Sequence, residues 1–185
     1  MSMIRNLTII ITLVLFSGCT KHSAMQTITK TNGSLTVSSP DFYISVPGTW
    51  TDRNKPSNHV IYAGSANDNG LTKHVLISRY DLTSGGDPEG ARFQAFVSTF
   101  RDTEKQVTSN QANIIEIPVH ARGTGLTGGH IGVHPSAGRV VFSQAFGNDE
   151  TAYNVYYELE GFSSAPDINA LYKEFVEWSQ TAQFK

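Results

Sequence analysis

The sequence predicts an α+β domain, a mostly antiparallel sheet of about six or seven strands covered by two main helices, behind a cleaved signal peptide. Three observations predict it. Short β-rich runs with alternating apolar residues recur between turn signals from Leu35 to Leu159. Two other stretches repeat apolar residues at i, i+3, i+4 and i+7, the period of a helix lying on a sheet. The first residues have the three parts of a secretory leader.

In that leader, Met1 to Asn6 carries one cation, Arg5, and no acid. Leu7 to Phe16 is apolar apart from Thr8 and Thr12, and Ser17-Gly18 supply small residues for a peptidase. The apolar run is too short to span a bilayer, which takes about 20 residues. Leu15-Phe16-Ser17-Gly18-Cys19 resembles a lipobox, with Phe16 where Leu is usual and Leu15 one step earlier. Cys19 is then the first mature residue and the site of lipidation, with ordinary secretion as the alternative. It is the only cysteine in 185 residues. In a disulfide-permissive compartment it has no intramolecular partner, and acylation would consume its thiol. The resemblance implies a diacylglyceryl group plus an amide-linked acyl chain, and several chains together anchor stably. Thr20 follows the cysteine rather than the Asp that resembles an inner-membrane retention signal, which in a Gram-negative envelope favours the outer membrane, facing the periplasm.

The expected organisation is a signal peptide over 1–18, a flexible tether over 19–33 and a single domain over 34–185. The tether reading follows from a Thr-, Ser-, Lys- and Gln-rich composition without periodicity. Leu35 to Ser38 alternates and opens the domain. Phe42-Tyr43-Ile44-Ser45-Val46 is a strand with Phe42, Ile44 and Val46 on one face, closed by Pro47-Gly48. His59 to Ala63 is a strand, followed by the turn signal Asn67-Asp68-Asn69-Gly70. Lys73 to Tyr80 is a strand, buried on both faces around Val75, Leu76 and Ile77. Asp87, Pro88 and Glu89 then start a helix with Phe93, Phe96, Val97 and Phe100 as its stripe.

Asn113 to Ala121 places Ile115, Ile117, Val119 and Ala121 on one face and Glu116, Pro118 and His120 on the other. Pro118 marks an edge strand or a bulge. Gly123 to Gly138 is glycine-rich and poorly patterned. Arg139 to Phe146 and Thr151 to Leu159 form a hairpin around Gly147-Asn148-Asp149, with Tyr153, Val155, Tyr157 and Leu159 sharing a face. Ser164, Pro166 and Asp167 start the last helix, Ser164 and Asp167 having capping-box spacing. Its stripe is Ile168, Leu171, Tyr172, Phe175 and Trp178.

The run Phe42-Tyr43-Ile44-Ser45-Val46-Pro47-Gly48-Thr49-Trp50 resembles the F-x-I-x-x-P-x-x-W opening of PsbP-like domains. The middle helix, the antiparallel strands and a closing helix ending Thr181-Ala182-Gln183-Phe184-Lys185 fit the same plan over residues 35–185. The resemblance, to bacterial envelope lipoproteins of the DcrB type, implies a PsbP-like sandwich. It also implies a binding or adaptor module without an established reaction.

Residues that could carry chemistry are few. Gly123-Thr124-Gly125-Leu126-Thr127-Gly128 matches G-x-G-x-x-G, but Gly129, Gly132 and Pro135 leave no helix to hold a phosphate. A hairpin loop is the expected structure. His120, His130 and His134 are weak metal candidates. As a strand, His130 and His134 stand about 13 Å apart at roughly 3.3 Å per residue, too far to chelate, and solvated loop histidines are expected. Glu116, Glu158 and Glu160 could pair as acid and base if their pKa values were driven apart. Trp50, Tyr43 and Tyr62 could line a pocket or belong to the core. No Gly-x-Ser-x-Gly elbow is present, so nucleophilic catalysis has no visible seat.

The formal net charge is −2 with no basic stripe, and nucleic acid is not an expected partner. No cofactor and no catalytic residue is expected. The expected function is a lipid-anchored, periplasm-facing lipoprotein acting as a non-enzymatic binding or adaptor module. Its partners are the membrane, through Cys19, and another envelope protein. The alternatives are a periplasmic immunity or inhibitor protein against a toxin, and a metal-dependent hydrolase using His120, His130 and His134.

Overall fold

The computed structural model describes residues 26–31, 33–68, 70–107, 113–134, 137–162, 164 and 166–184. The leader and Cys19 lie outside them. The strands are β1 Thr27–Lys30, β2 Ser34–Ser38, β3 Phe42–Pro47, β4 Thr51–Asp52, β5 Val60–Asp68 and β6 Leu71–Asp81, followed by helix α1 Arg92–Val107. Then come β7 Asn113–Arg122, β8 Gly125–His134, β9 Arg139–Gly147, β10 Thr151–Glu160, helix α2 Ile168–Ser179 and β11 Gln183–Phe184.

The single sheet under two helices that the sequence predicts is not what forms. Strand makes up 53% of the described residues and helix 19%, so the fold is mostly β. The strands divide into two antiparallel sheets, one of four strands in the order β1-β2-β3-β11 and one of seven in the order β4-β5-β6-β10-β9-β8-β7. The reason is that alternation tells which face of a strand is buried but not which strand it pairs with. Two pairings supply the second sheet. β1, from a stretch expected to be tether, pairs with β2 in the register Thr27↔Ser38. β11, expected as the end of a helix, returns to β3 with Gln183 opposite Tyr43.

The small sheet and α2 cover one face of the large sheet, and α1 covers the other. Leu35, Val37, Phe42, Ile44 and Val46 all point into the first interface and are at most 1% exposed. They meet Tyr153, Val155, Tyr157 and Leu159, which share one face of β10. Phe42 stacks on Tyr153 with ring centroids 4.2 Å apart. The Tyr153 hydroxyl reaches Ser39 Oγ at 2.9 Å and accepts from Arg79 Nε at 3.1 Å, so this buried ring is also tied at its polar end. α2 joins the same interface through Phe175, stacked 4.8 Å from Phe142. Trp50 and Tyr62 belong to this core rather than to a pocket, and Tyr43 is half-buried. On the opposite face Phe93, Phe96 and Val97 of α1 pack on Tyr80, Leu82, Ala145 and Ala152.

Both helix starts differ from their sequence signals. The Asp87-Pro88-Glu89 stretch is a turn, closed by the Ala91 N–H donating to the Pro88 carbonyl at 3.1 Å. Gly90 follows with φ +92°, a left-handed conformation that no helix accepts, so α1 starts at Arg92. Its first turn is capped from outside, the Phe93 N–H donating to Asp149 Oδ1 at 2.9 Å from the β9–β10 turn. Such caps contribute about 1 kcal/mol. In α2 the cap is Asp167 rather than Ser164, accepting from the Asn169 and Ala170 N–H groups at 3.0 and 3.2 Å.

β7 is an edge strand and it also bulges. Its register on β8 shifts between Ile117 and His120, at Pro118. The extra residue inverts the faces beyond it. Val119 therefore packs with the α1 cluster, while Ile117 packs with the opposite core, and the expected single stripe from Ile115 to Ala121 is broken.

The poorly patterned 123–138 stretch is mostly a central strand, β8. Gly123, at φ +60°, turns the chain from β7 into it. A Cβ on Gly129 would lie 2.0 Å from the Ser143 carbonyl oxygen, so here glycine permits a close approach of β9. Among the described residues no helix is long and apolar enough to cross a membrane.

Candidate functional site

Two places collect polar groups, one beneath α1 and one beside α2. The first is built on alternation in β8, which puts His130 and His134 on the face that α1 covers. They are not solvated loop residues, being 1% and 5% exposed. His134 Nε2 lies 2.7 Å from Glu104 Oε1 of α1. Arg139 of β9, paired with His134 across the ladder, reaches the same Glu104 oxygen at 3.3 Å. Arg139 Nε also donates to Glu158, and its NH2 donates to the Tyr156 hydroxyl at 2.6 Å.

Burial pushes the Glu104 carboxyl up, but the bond to His134 and the charge of Arg139 outweigh it and hold the group below its ordinary value. Burial opposes the Arg139 charge, yet the surrounding Tyr156, Glu158 and Glu104 raise its pKa. This is a charge-compensated lock between helix and sheet. Its members Glu104, His134, Arg139 and Glu158 are at most 9% exposed.

The arrangement does not unite the three histidines. His120 is exposed on the other face of the sheet, its Nδ1 donating to the Pro118 carbonyl at 2.9 Å. Among the described residues no group of three or more His, Cys, Asp or Glu side chains is placed to hold a metal ion. The three glutamates do not converge either. Glu116 of β7 accepts from Arg101 at 2.8 Å, and β8 and β9 separate it from Glu158 and Glu160 on β10. Glu158 and Glu160 do adjoin on β10: burial raises the Glu158 carboxyl, Arg139 opposes the rise and Glu160 adds to it, while Glu160 Oε2 lies 3.7 Å from His74 Nε2.

His130 sits in this layer with both ring nitrogens buried and, among the described residues, without a hydrogen-bond partner. Burial lowers its pKa from 6.5 to about 4, with Glu104 opposing the shift and Arg101 and Lys105 adding to it. Between those two pH values the unfolded chain binds a proton that the native protein refuses. Stability is therefore expected to fall as pH drops from 6.5 towards 4, by on the order of 3 kcal/mol from this ring. Glu104 adds a loss of the same sign, because its lowered carboxyl must be protonated as pH falls through 4.5 and below. Urea midpoints measured across this range should slope in the wild type and slope less above pH 4.5 in His130→Gln, where His74, also lowered by burial, still contributes. An unchanged slope would show that His130 is not the group responsible.

The second place is a groove between the β7–β8 hairpin and the C-terminal end of α2, continuing to β11. It holds two hollows of about 370 and 380 Å3 that share Arg122 and Gln180. Arg122 is the last residue of β7 and is half-buried. Its NH2 donates to the Ser179 carbonyl at 3.2 Å, and its guanidinium carbon lies 5.4 Å from the Phe146 ring centroid. Burial lowers its pKa, and among the described residues no carboxylate pairs with it. Among the described residues no acidic side chain lines either hollow. His120 lines the first hollow with Tyr172, which the helical period places in the core stripe but which is 38% exposed.

Nothing in the local sequence marks Arg122, because the α2 carbonyl it meets is 57 residues away. No model of a known protein family matches the chain, and no curated protein matches it.

Proposed function

We propose that this chain is a lipid-anchored, periplasm-facing binding module, non-enzymatic, that docks another envelope protein through the groove beside α2. The observation that carries the reading is the groove itself. It is an open surface that mixes apolar and polar walls around one half-buried guanidinium that no carboxylate of the described residues neutralises. The charged groups beneath α1, in contrast, are enclosed and already paired, which suits a structural lock better than a site that admits substrate.

The anchoring part rests on the leader and on Cys19. The eight residue-to-residue steps from Cys19 to Thr27 extend to at most about 28 Å, so a lipid at Cys19 keeps the domain near the bilayer. The test is cross-linking of the full chain in its native envelope, followed by mass spectrometry of both the partner and the N-terminal peptide. A stoichiometric protein partner and an acylated Cys19 peptide are expected, and Cys19→Ala should leave unprocessed precursor. Recovery of the protein alone would remove the binding reading. Correctly cut Cys19→Ala protein in the membrane fraction would remove the anchor.

A further inference from the structure

We infer that the groove beside α2 recognises an extended segment of a partner protein that carries one carboxylate between two apolar side chains, in the pattern apolar-x-acid-x-apolar. This rests on the binding-module reading and names the chemistry of its ligand.

Three observations lead there. Arg122 is the shared boundary of the two hollows, so whatever fills both must pass over its guanidinium. Of that group's five N–H donors, one contact to the Ser179 carbonyl is recorded, and burial opposes its charge. A carboxylate there would replace lost hydration with charge-assisted, forked hydrogen bonds, which Arg makes and Lys does not.

Both hollows offer apolar side chains beside Arg122, the first mixed with His120, Gln144, Ser179 and Gln180. Ile117, Tyr172 and Val176 line one hollow, and Leu126, Phe146 and Phe184 line the other. Each is near the lower limit of ligand pockets, which run from about 300 to 1,000 Å3, and so suits a side chain better than a whole metabolite. In an extended segment, residues i, i+2 and i+4 point the same way, at roughly 3.3 Å of rise per residue. An acid at i+2 would meet Arg122 while its apolar neighbours enter the two hollows.

A fatty acid offers the same carboxylate and apolar bulk. The hollows favour the peptide because Gln180 stands between them and Gln183 beside the second. These amides have peptide N–H and C=O groups to pair with, whereas an acyl chain would desolvate them without a partner. Addition of a full strand to the outer edge of β7 is disfavoured, since Pro118 has no N–H and its bulge breaks the ladder.

The experiment pans a phage library of random heptapeptides against the detergent-solubilised full chain. The strongest peptide is then titrated by fluorescence anisotropy. Enrichment of apolar-x-Asp/Glu-x-apolar sequences is expected, with affinity weakened about tenfold or more in Arg122→Gln. Because Arg122 also holds an α2 carbonyl, Tyr172→Asp is the second variant. It lies at an exposed position, and it too should weaken binding about tenfold while leaving the melting temperature unchanged.

No enrichment, enrichment without an acid, or affinity indifferent to both variants overturns the inference. Saturable binding of dodecanoate lost in both variants, without peptide enrichment, also overturns it and makes an acyl carboxylate the occupant. The two levels separate cleanly. A cross-linked envelope partner retained by both variants leaves the binding-module reading standing and removes this one.

Discussion

Replacing Arg139 with methionine is expected to destabilise the protein by about 3–5 kcal/mol, measured by urea unfolding at pH 7. Arg139 forms ion pairs with both Glu104 and Glu158, and all three side chains are at most 10% exposed. Without it two carboxylates remain in a low-dielectric layer with His134 and the Tyr156 hydroxyl as their neighbours. The cost is mainly that of stranded charge rather than of a lost attraction. Adding Glu104→Leu and Glu158→Met to the same chain should therefore recover much of the stability, since apolar residues of similar volume remove the charges together. A loss below about 1 kcal/mol for Arg139→Met, the range of exposed ion pairs, would show that water reaches the cluster.

Phe142→Ala is expected to cost a comparable 3–5 kcal/mol, the range of large-to-small changes at buried aromatics, about the full stability of many small domains. Phe142 is 0% exposed, and it is where the large sheet meets α2. Its ring stacks on Phe175 at 4.8 Å and tilts against Tyr157 at 6.3 Å, and Phe175 in turn meets Trp178 at 4.8 Å. The loss should therefore show in α2 before it shows in α1, whose contacts lie on the opposite face. Hydrogen exchange of the α2 amides should accelerate while the Phe93–Phe100 amides stay protected. Equal loosening of both helices would mean that the two faces do not open independently. The groove should fail with α2, because the helix forms one of its walls.

The partition between the two levels of information is visible in particular residues. β3, the β9–β10 hairpin and the inward faces of β2 and β10 follow from alternation alone. Phe42, Ile44, Val46, Tyr153, Val155, Tyr157 and Leu159 are buried where period two puts them. The same reasoning failed at β8 because its residues are chosen for backbone proximity rather than for apolar contact. Gly128 and Gly129 let neighbouring chains approach where a Cβ would collide. It failed again beyond Pro118, where one inserted residue exchanged the faces of Val119 and His120.

Of the candidate site residues, His130 and His134 were visible as a pair four apart, but not the Glu104 and Arg139 that make His134 part of a lock. Arg122 carried no signal, since a charged residue before a glycine turn is ordinary until a helix end is placed over it.

The sequence by itself determined most of the strand and helix stretches and which side chains face inward along them, while β1, β8 and β11 escaped it. Periodicity and local turn chemistry act within a few residues and need no distant partner. Only the tertiary structure decided that the strands form two sheets, that α1 is capped by Asp149, and that Arg122 stands between two hollows with no carboxylate of the described residues paired to it. Those facts depend on hydrogen bonds, charges and packing between residues far apart in the chain. A linear pattern of polar and apolar side chains does not encode which distant group each will meet.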